Sequence, residues 1–372
     1  MSEDYNNKVL KFLFRYIMGD LPALTDWLKT KPWVLAVPSW ILRAIGAPIF
    51  LNNPISGLLI LIGMFIANPW VAICGITGLI SAIATAFLLG QDHGAISNGG
   101  CTFHGMLVGI VVSASIDKPD WYPWTVFPVV FLAMLSVYVN SGLGGIFSSW
   151  NIPAFNLPFC LVAFVFLAAL PPNNPNFPPR IKAAPNETFA QASIDWGQIF
   201  LAIPCSCAQI YGSNQAIVGV LILLGLLIGS PILFLHAILG PFMSVFTALC
   251  VAAPPEQIYT GEWSYNAMLA ATSLGGFFWV LSIQTHILAL SAAIFSTIVY
   301  GAMFNTFSNN NIGGLVLAFP FVLTASIFLA FTSESKAIKR VPLDRISYPE
   351  MHWKLFNNKQ TITPDGSGTL TQ

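Results

Sequence analysis

The chain has 372 residues, 55% hydrophobic and 8% charged, with zero formal net charge and a mean hydropathy of +0.72. Soluble domains carry about 25% charged residues, so this chain cannot cover a water-facing surface and reads as a polytopic membrane protein. Its apolar runs are continuous rather than short and alternating, which disfavours a transmembrane barrel and favours an all-α bundle.

Residues 1–32 read as a cytosolic, partly amphipathic lead-in. The apolar run in KVLKFLFRYIM is too short for a signal peptide, and Arg15 interrupts it. Apolar runs then predict spans near 33–51, 55–67, 70–89, 122–139 and 155–171. The second of these is preceded by Asn52-Asn53-Pro54, whose polar groups need partners that lipid cannot supply. The piece 103–115 is long enough for only about half a bilayer at ~1.5 Å per residue. The charged turn Asp117-Lys118-Pro119-Asp120 stops it, which predicts a tilted, re-entrant helix.

From here the chain nearly repeats itself. GLLILIGMFIANP starts at Gly57 and GVLILLGLLIGSP at Gly219, an offset of 219 − 57 = 162 residues. The same register pairs Gly78 with Gly240, Thr85 with Thr247, Gly99 with Gly261, Met106 with Met268 and Leu107 with Leu269. Chance apolar similarity matches Leu with Leu but does not align glycines over such a distance, so this is a duplication. Adding the offset predicts spans near 195–213, 217–229, 232–251, 284–301 and 317–333, and a second re-entrant piece at 265–277. The expectation is ten spans and two half-helices, in a first membrane repeat over 33–171 and a second over 195–333.

The linker between the repeats, 172–194, is proline-rich and polar and holds the sequon Asn186-Glu187-Thr188. The tail, 334–372, is polar and reads as loosely ordered. Of fifteen Lys and Arg residues, six lie at or before Arg43 and six at or after Lys336. The positive-inside rule therefore places both termini in the cytoplasm. With the linker outside, each half crosses an odd number of times and the second is inverted, a plan that puts solute sites where the halves meet.

The acidic residues within the membrane region are Asp92, Asp117, Asp120, Glu187, Asp195, Glu256 and Glu262, all in predicted loops or at span edges. With no carboxylate, Lys or Arg expected mid-span, ion coupling is disfavoured and a passive path for a neutral solute is implied. No phosphate loop, HExxH or GxSxG motif points to an enzyme, and the six cysteines read as small buried residues without zinc spacing. No cofactor, metal or nucleic acid is implied. His236 and His286 read as packing histidines, while His104 heads the re-entrant piece and is a functional candidate. The remaining polar groups at depth are amides, hydroxyls and backbone freed at helix breaks. Asn52-Asn53-Pro54, its counterpart Asn214-Gln215-Ala216, NIPAFNLPF (Asn151–Phe159) and GGLVLAFPF (Gly313–Phe321) are expected to face a shared interior. Simple helix kinks are the bland alternative.

ILRAIGAPIFLNNPISGLLILIGMFIANPW, AQIYGSNQ, SPILFLHAILG, GEWSYNAMLA, QTHILAL and VPLDRISYPE together resemble the vertebrate facilitative urea transporters, from about Arg43 to Glu350. The resemblance implies a plasma-membrane homotrimer with a urea pore in each protomer, formed by two inverted halves of five spans and a re-entrant helix. It implies carbonyl ladders at Pro153, Ala154, Phe155 and Asn156, and at Leu315, Val316, Leu317 and Ala318. Gln209 matches a slot glutamine, and Phe50 and Tyr211 are slot-aromatic candidates. The chain departs from the family pattern at Ala47, where a glutamine is common, and at Asn156 and Ala318, where threonine is common. It departs again at Phe103-His104, where the family reads Tyr-Asn. These departures leave open a related pore for water, ammonia or another small neutral amide; a non-conducting scaffold is the remaining alternative.

Overall fold

The computed structural model describes residues 12–171, 173–180, 193–309 and 315–357. Among these the regular structure is helical, apart from two isolated bridges. The first half contains α1 (Pro22–Lys29), α2 (Val37–Gly46), α3 (Pro54–Ala67), α4 (Pro69–Leu88), α5 (His93–Ser97), α6 (Phe103–Ser115), α7 (Val126–Ser148) and α8 (Leu157–Ala169). The second contains α9 (Trp196–Gln209), α10 (Ala216–Gly229), α11 (Pro231–Cys250), α12 (Pro255–Tyr259), α13 (Tyr265–Thr272), α14 (Ile283–Asn309) and α15 (Phe319–Ala330), followed by α16 (Pro349–Asn357).

The duplication is written into the backbone. Left-handed φ values recur at the sequence offset: 64° at Phe50 and 73° at Gly212, 80° at Gly99 and 81° at Gly261, 48° at Phe155 and 49° at Leu317. Non-glycine residues rarely adopt such φ, so their recurrence reports one supersecondary plan used twice. The caps Asn68 and Ser230 share φ −160° and ψ 113°.

The halves join through their equivalent helices α3 and α10. Ser56 Oγ donates to the Gly225 carbonyl at 2.6 Å, and a Cβ on Gly63 would lie 3.3 Å from the Val218 side chain. Because Ser56 pairs with Val218 and Gly63 with Gly225 in the repeat, the contact is isologous, as across a two-fold axis. Partner numbers fall along α10 as they rise along α3, so the two helices run antiparallel and the halves are inverted. Each joins its predecessor through one glycine: a Cβ would lie 1.9 Å from the Leu42 carbonyl oxygen at Gly57, and 1.8 Å from that of Pro204 at Gly219. Backbone contact this close is how membrane helices pack without a hydrophobic drive between them.

Helices occur at every predicted span. Four are long and apolar enough to cross a membrane alone: Pro69–Leu88, Pro123–Ser148, Pro231–Cys250 and Ile283–Phe307. Trp33–Ile49 and Pro54–Ala67 form a fifth as a pair bent by 78°, and α6, α8, α10 and α15 are shorter apolar helices. By length and composition alone, up to five spans among the described residues reach this threshold, and helix breaks leave the remaining apolar runs in the shorter helices. α6 is buried on all faces, as an apolar helix packed inside a bundle must be. Its counterpart α13 passes into a π-turn at Ser273–Phe277, with φ 121° at Gly276.

Three sequence readings are corrected. Asn52-Asn53-Pro54 does not simply open onto the interior. Asn53 Oδ1 caps α3 by accepting from the Ile55 and Ser56 amides at 2.9 and 3.3 Å, and its Nδ2 donates to the Ile17 and Gly19 carbonyls at 2.8 and 2.9 Å. The amides thus dock the N-terminal segment. Secondly, one cation does lie within a span: Arg43, 6% exposed in α2, donates to the Asn52 carbonyl and Oδ1, the Asp20 carbonyl and Thr25 Oγ1. Thirdly, the described part of the tail is docked. Val341 N donates to the Phe278 carbonyl at 2.9 Å, and Glu350 caps α11 through Ser230 Oγ and the Ile232 amide at 2.8 and 2.9 Å. Ser347 Oγ donates to Asp20 Oδ2 at 2.7 Å and the Phe14 and Tyr348 rings stack, so the two terminal segments meet on one face.

Candidate pore cavity

A cavity of about 390 Å³ opens against the start of α8. Pro153, Ala154, Phe155 and Asn156 form one wall; Ala47 and Phe50, at the α2–α3 break, form another. Phe155 is 5.4 Å from Phe278 and 5.3 Å from Phe321, and Phe50 is 4.9 Å from Phe277, between ring centroids. The glycine-bearing π-turn aims Phe277 and Phe278 into this collar, an irregularity that the apolar run around them did not signal. Asn52, Asn98, Asn140 and Asn156 supply amides, and Asp20 and His104 are the ionisable lining residues. Docked-tail residues Leu343, Ile346 and Ser347 complete the rim; only contact across the whole chain length brings them here.

Six of the twelve sequence candidates therefore meet: Ala47, Phe50, Pro153, Ala154, Phe155 and Asn156. Tyr211 does not join them. It is 2% exposed and its hydroxyl donates to the Ile45 carbonyl at 2.7 Å. At the repeat spacing Tyr211 corresponds to Ile49, whereas Phe50 corresponds to Gly212, so the second half has glycine where the first has a cavity aromatic. Gln209, the counterpart of Ala47, lies outside this cavity and donates from Nε2 to the Thr260 carbonyl at 2.9 Å. Val316 and Ala318 are each 2% exposed, and Leu315 and Leu317 are half-buried. The Leu317 carbonyl accepts from the Tyr265 hydroxyl and from Asn266 Nδ2. Asn186 lies outside the described residues.

Outside the spans, burial raises the Asp20 carboxyl above its ordinary pKa, opposed by the Ser347 hydrogen bond and the Arg43 charge. Burial lowers that of His352, opposed by its bond to the Gly276 carbonyl and by Asp20. His352 Nε2 accepts from the Ser347 amide at 2.9 Å while Nδ1 faces the Gly276 carbonyl at 3.1 Å, which fixes the neutral Nδ1–H tautomer. His236 is likewise satisfied, by the Ile232 carbonyl and His286. Among the described residues, no three His, Cys, Asp or Glu side chains converge to hold a metal ion.

A family model described as urea transporter matches residues 38–333. The chain is 36% identical to "Urea transporter 1" of Rattus norvegicus over 353 residues, covering 93% of this chain and 91% of that protein. It is 35% identical to the Capra hircus and 36% identical to the Mus musculus proteins of the same name, over the same shares. The family match over 38–333 takes in the duplicated helices, both helix starts and the cavity walls apart from Asp20, Leu343, Ile346 and Ser347: this multi-pass membrane protein belongs to the urea transporter family.

Proposed function

We propose that the chain is a passive, channel-like pore that moves urea down its gradient, between the two halves of each protomer. One observation carries the reading: a cavity walled by phenylalanine rings and amides abuts a helix start whose left-handed residue, Phe155, leaves its own carbonyl without a backbone donor among the described residues, while those of Ala154 and Asn156 accept from the Leu157 and Cys160 amides. Aromatic faces accept a flat, dehydrated solute, and carbonyl oxygens accept its N–H groups where water is scarce. The equivalent start at Leu315, Val316, Leu317 and Ala318 serves the other end, with the Leu317 carbonyl already engaged by Tyr265 and Asn266. Gln209 contributes there through its Oε1, which no protein donor occupies among the described residues.

Family resemblance supports a homotrimer at the plasma membrane. The lysine and arginine distribution, with the direct contact between terminal segments, supports both termini lying in the cytosol. The test is stopped-flow light scattering on proteoliposomes with urea, acetamide, ammonia and water gradients. Urea flux should follow its gradient without sodium dependence or current, and Gln209→Ala should lower it about ten- to a hundred-fold. Flux of water or ammonia without urea would select the alternative pore, a reading motivated by the Ala47, Ala318 and His104 departures. No flux would select the scaffold.

A further inference from the structure

Five phenylalanines form a closed circuit at the cavity. Ring centroids are 4.9 Å apart from Phe50 to Phe277 and from Phe277 to Phe278. The circuit continues over 5.4 Å to Phe155, 5.3 Å to Phe321 and 6.1 Å back to Phe50. Phe50, Phe155 and Phe321 lie at the α2–α3 break, just before α8 and within α15. Phe277 and Phe278 instead follow Gly275 and Gly276, which leave helical φ/ψ in the π-turn. Two permissive glycines cannot by themselves fix the direction of the rings that follow them.

The C-terminal segment holds this turn on both sides of the rings. His352 Nδ1 donates to the Gly276 carbonyl at 3.1 Å, and the Val341 amide donates to the Phe278 carbonyl at 2.9 Å. The Val280 amide donates to the Lys339 carbonyl at 2.9 Å, and a Cβ on Gly276 would lie 3.0 Å from the Pro349 side chain. Glu350 ties the segment to the start of α11. The register of the pairing matters as much as its bonds. Trp279 is bridged to Arg340, and side chains alternate along such a pairing, so Phe278 points to the opposite face. Phe278 lines the cavity and Trp279 does not. In the first half the linker bridges Pro179 to Ile116, which corresponds to Phe278 at the repeat spacing. The tail therefore pairs one residue later than the linker, a shift that turns the equivalent side chain to the other face.

We propose that the docked tail is a positioning element for the pore: Val341, Pro349 and His352 hold Phe277 and Phe278 in the aromatic circuit and thereby set the size of amide that passes it. The inference rests on the urea reading above. It assigns size selectivity to three residues that lie outside the cavity wall and act only through the turn they clamp.

The test is the ratio of N-methylurea to urea permeability in proteoliposomes, which a general loss of folded protein would leave unchanged. His352→Ala removes the donor to Gly276 and should raise the ratio about two- to tenfold, the range expected for one lost hydrogen bond. His352→Asn keeps a donor toward Gly276 and should restore the parental ratio. With both rings removed, in Phe277→Ala combined with Phe278→Ala, adding His352→Ala should shift the ratio no further, because the tail then has nothing to position. Glu350→Ala loosens the segment without emptying a fully buried site and should move the ratio in the same direction; it decides the matter if His352→Ala does not fold. A parent that moves no urea refutes the channel reading itself. A parent that moves urea, with the ratio unaltered in His352→Ala and Glu350→Ala, refutes the positioning role alone. So does an equal shift from His352→Ala with and without the two rings.

Discussion

Asn53→Ala should release the N-terminal segment from the bundle. Asn53 is fully buried and makes four hydrogen bonds: two accepted from the first turn of α3 and two donated to the Ile17 and Gly19 carbonyls. Losing the cap costs about 1 kcal/mol, and two stranded carbonyls cost about 1–3 kcal/mol each. The total is about 3–7 kcal/mol. Asn53→Asp separates the roles, since a carboxylate still caps α3 but cannot donate to the two carbonyls. The repeat supplies a control: Gln215 makes no cap, and its Nε2 reaches the Ala67 carbonyl only at 3.4 Å on the surface. Gln215→Ala should therefore cost under about 0.5 kcal/mol, as ordinary surface changes do. Thermal unfolding in detergent and hydrogen exchange over 12–25 provide the assay. Native-like exchange in Asn53→Ala would refute the docking role; equal losses for Asn53 and Gln215 would refute the claimed asymmetry.

Arg43→Gln should cost about 3–5 kcal/mol, because it strips the guanidinium from a buried network of carbonyls and hydroxyl; thermal melts of detergent-purified protein measure it. Gly219→Ala should prevent folding, since its Cβ would overlap the Pro204 carbonyl at 1.8 Å, and size-exclusion profiles should show aggregate instead of a monodisperse peak. Burial lowers the His352 pKa, so its stabilising contribution is present above its ordinary value of about 6.5 and is lost as pH falls towards the folded value. Asp20 has the opposite sign: its raised pKa gives a contribution present at acid pH and lost as pH rises through the folded value. Exchange over 343–357, corrected for intrinsic rates, should quicken below about pH 6.5, and this component should vanish in His352→Asn.

Composition fixed the membrane setting, and glycine and proline spacing fixed the duplication, because both are properties of the chain that survive without coordinates. Charge distribution and the odd crossing number implied inversion, which the antiparallel contact of Ser56–Gly225 and Gly63–Val218 expresses in space. The Pro153–Asn156 wall lies in NIPAFNLPF, where a proline entering a helix start announces where backbone is left unpaired, whereas Phe50 came from the family resemblance alone. Other features depended on long-range contact. Nothing local in Asn52-Asn53 says that one amide caps while holding segment 12–20. Nothing in Tyr211 says that its hydroxyl turns to Ile45 rather than to the cavity. The tail looked loose because polarity was read as solvation, whereas its carboxylate and imidazole complete a helix cap and a glycine carbonyl far away in sequence. Helix-breaking residues mark which backbone groups are orphaned, whereas packing in three dimensions selects which of them a distant side chain satisfies, because a hydrogen bond requires its partner within about 3 Å, and sequence separation does not set that distance.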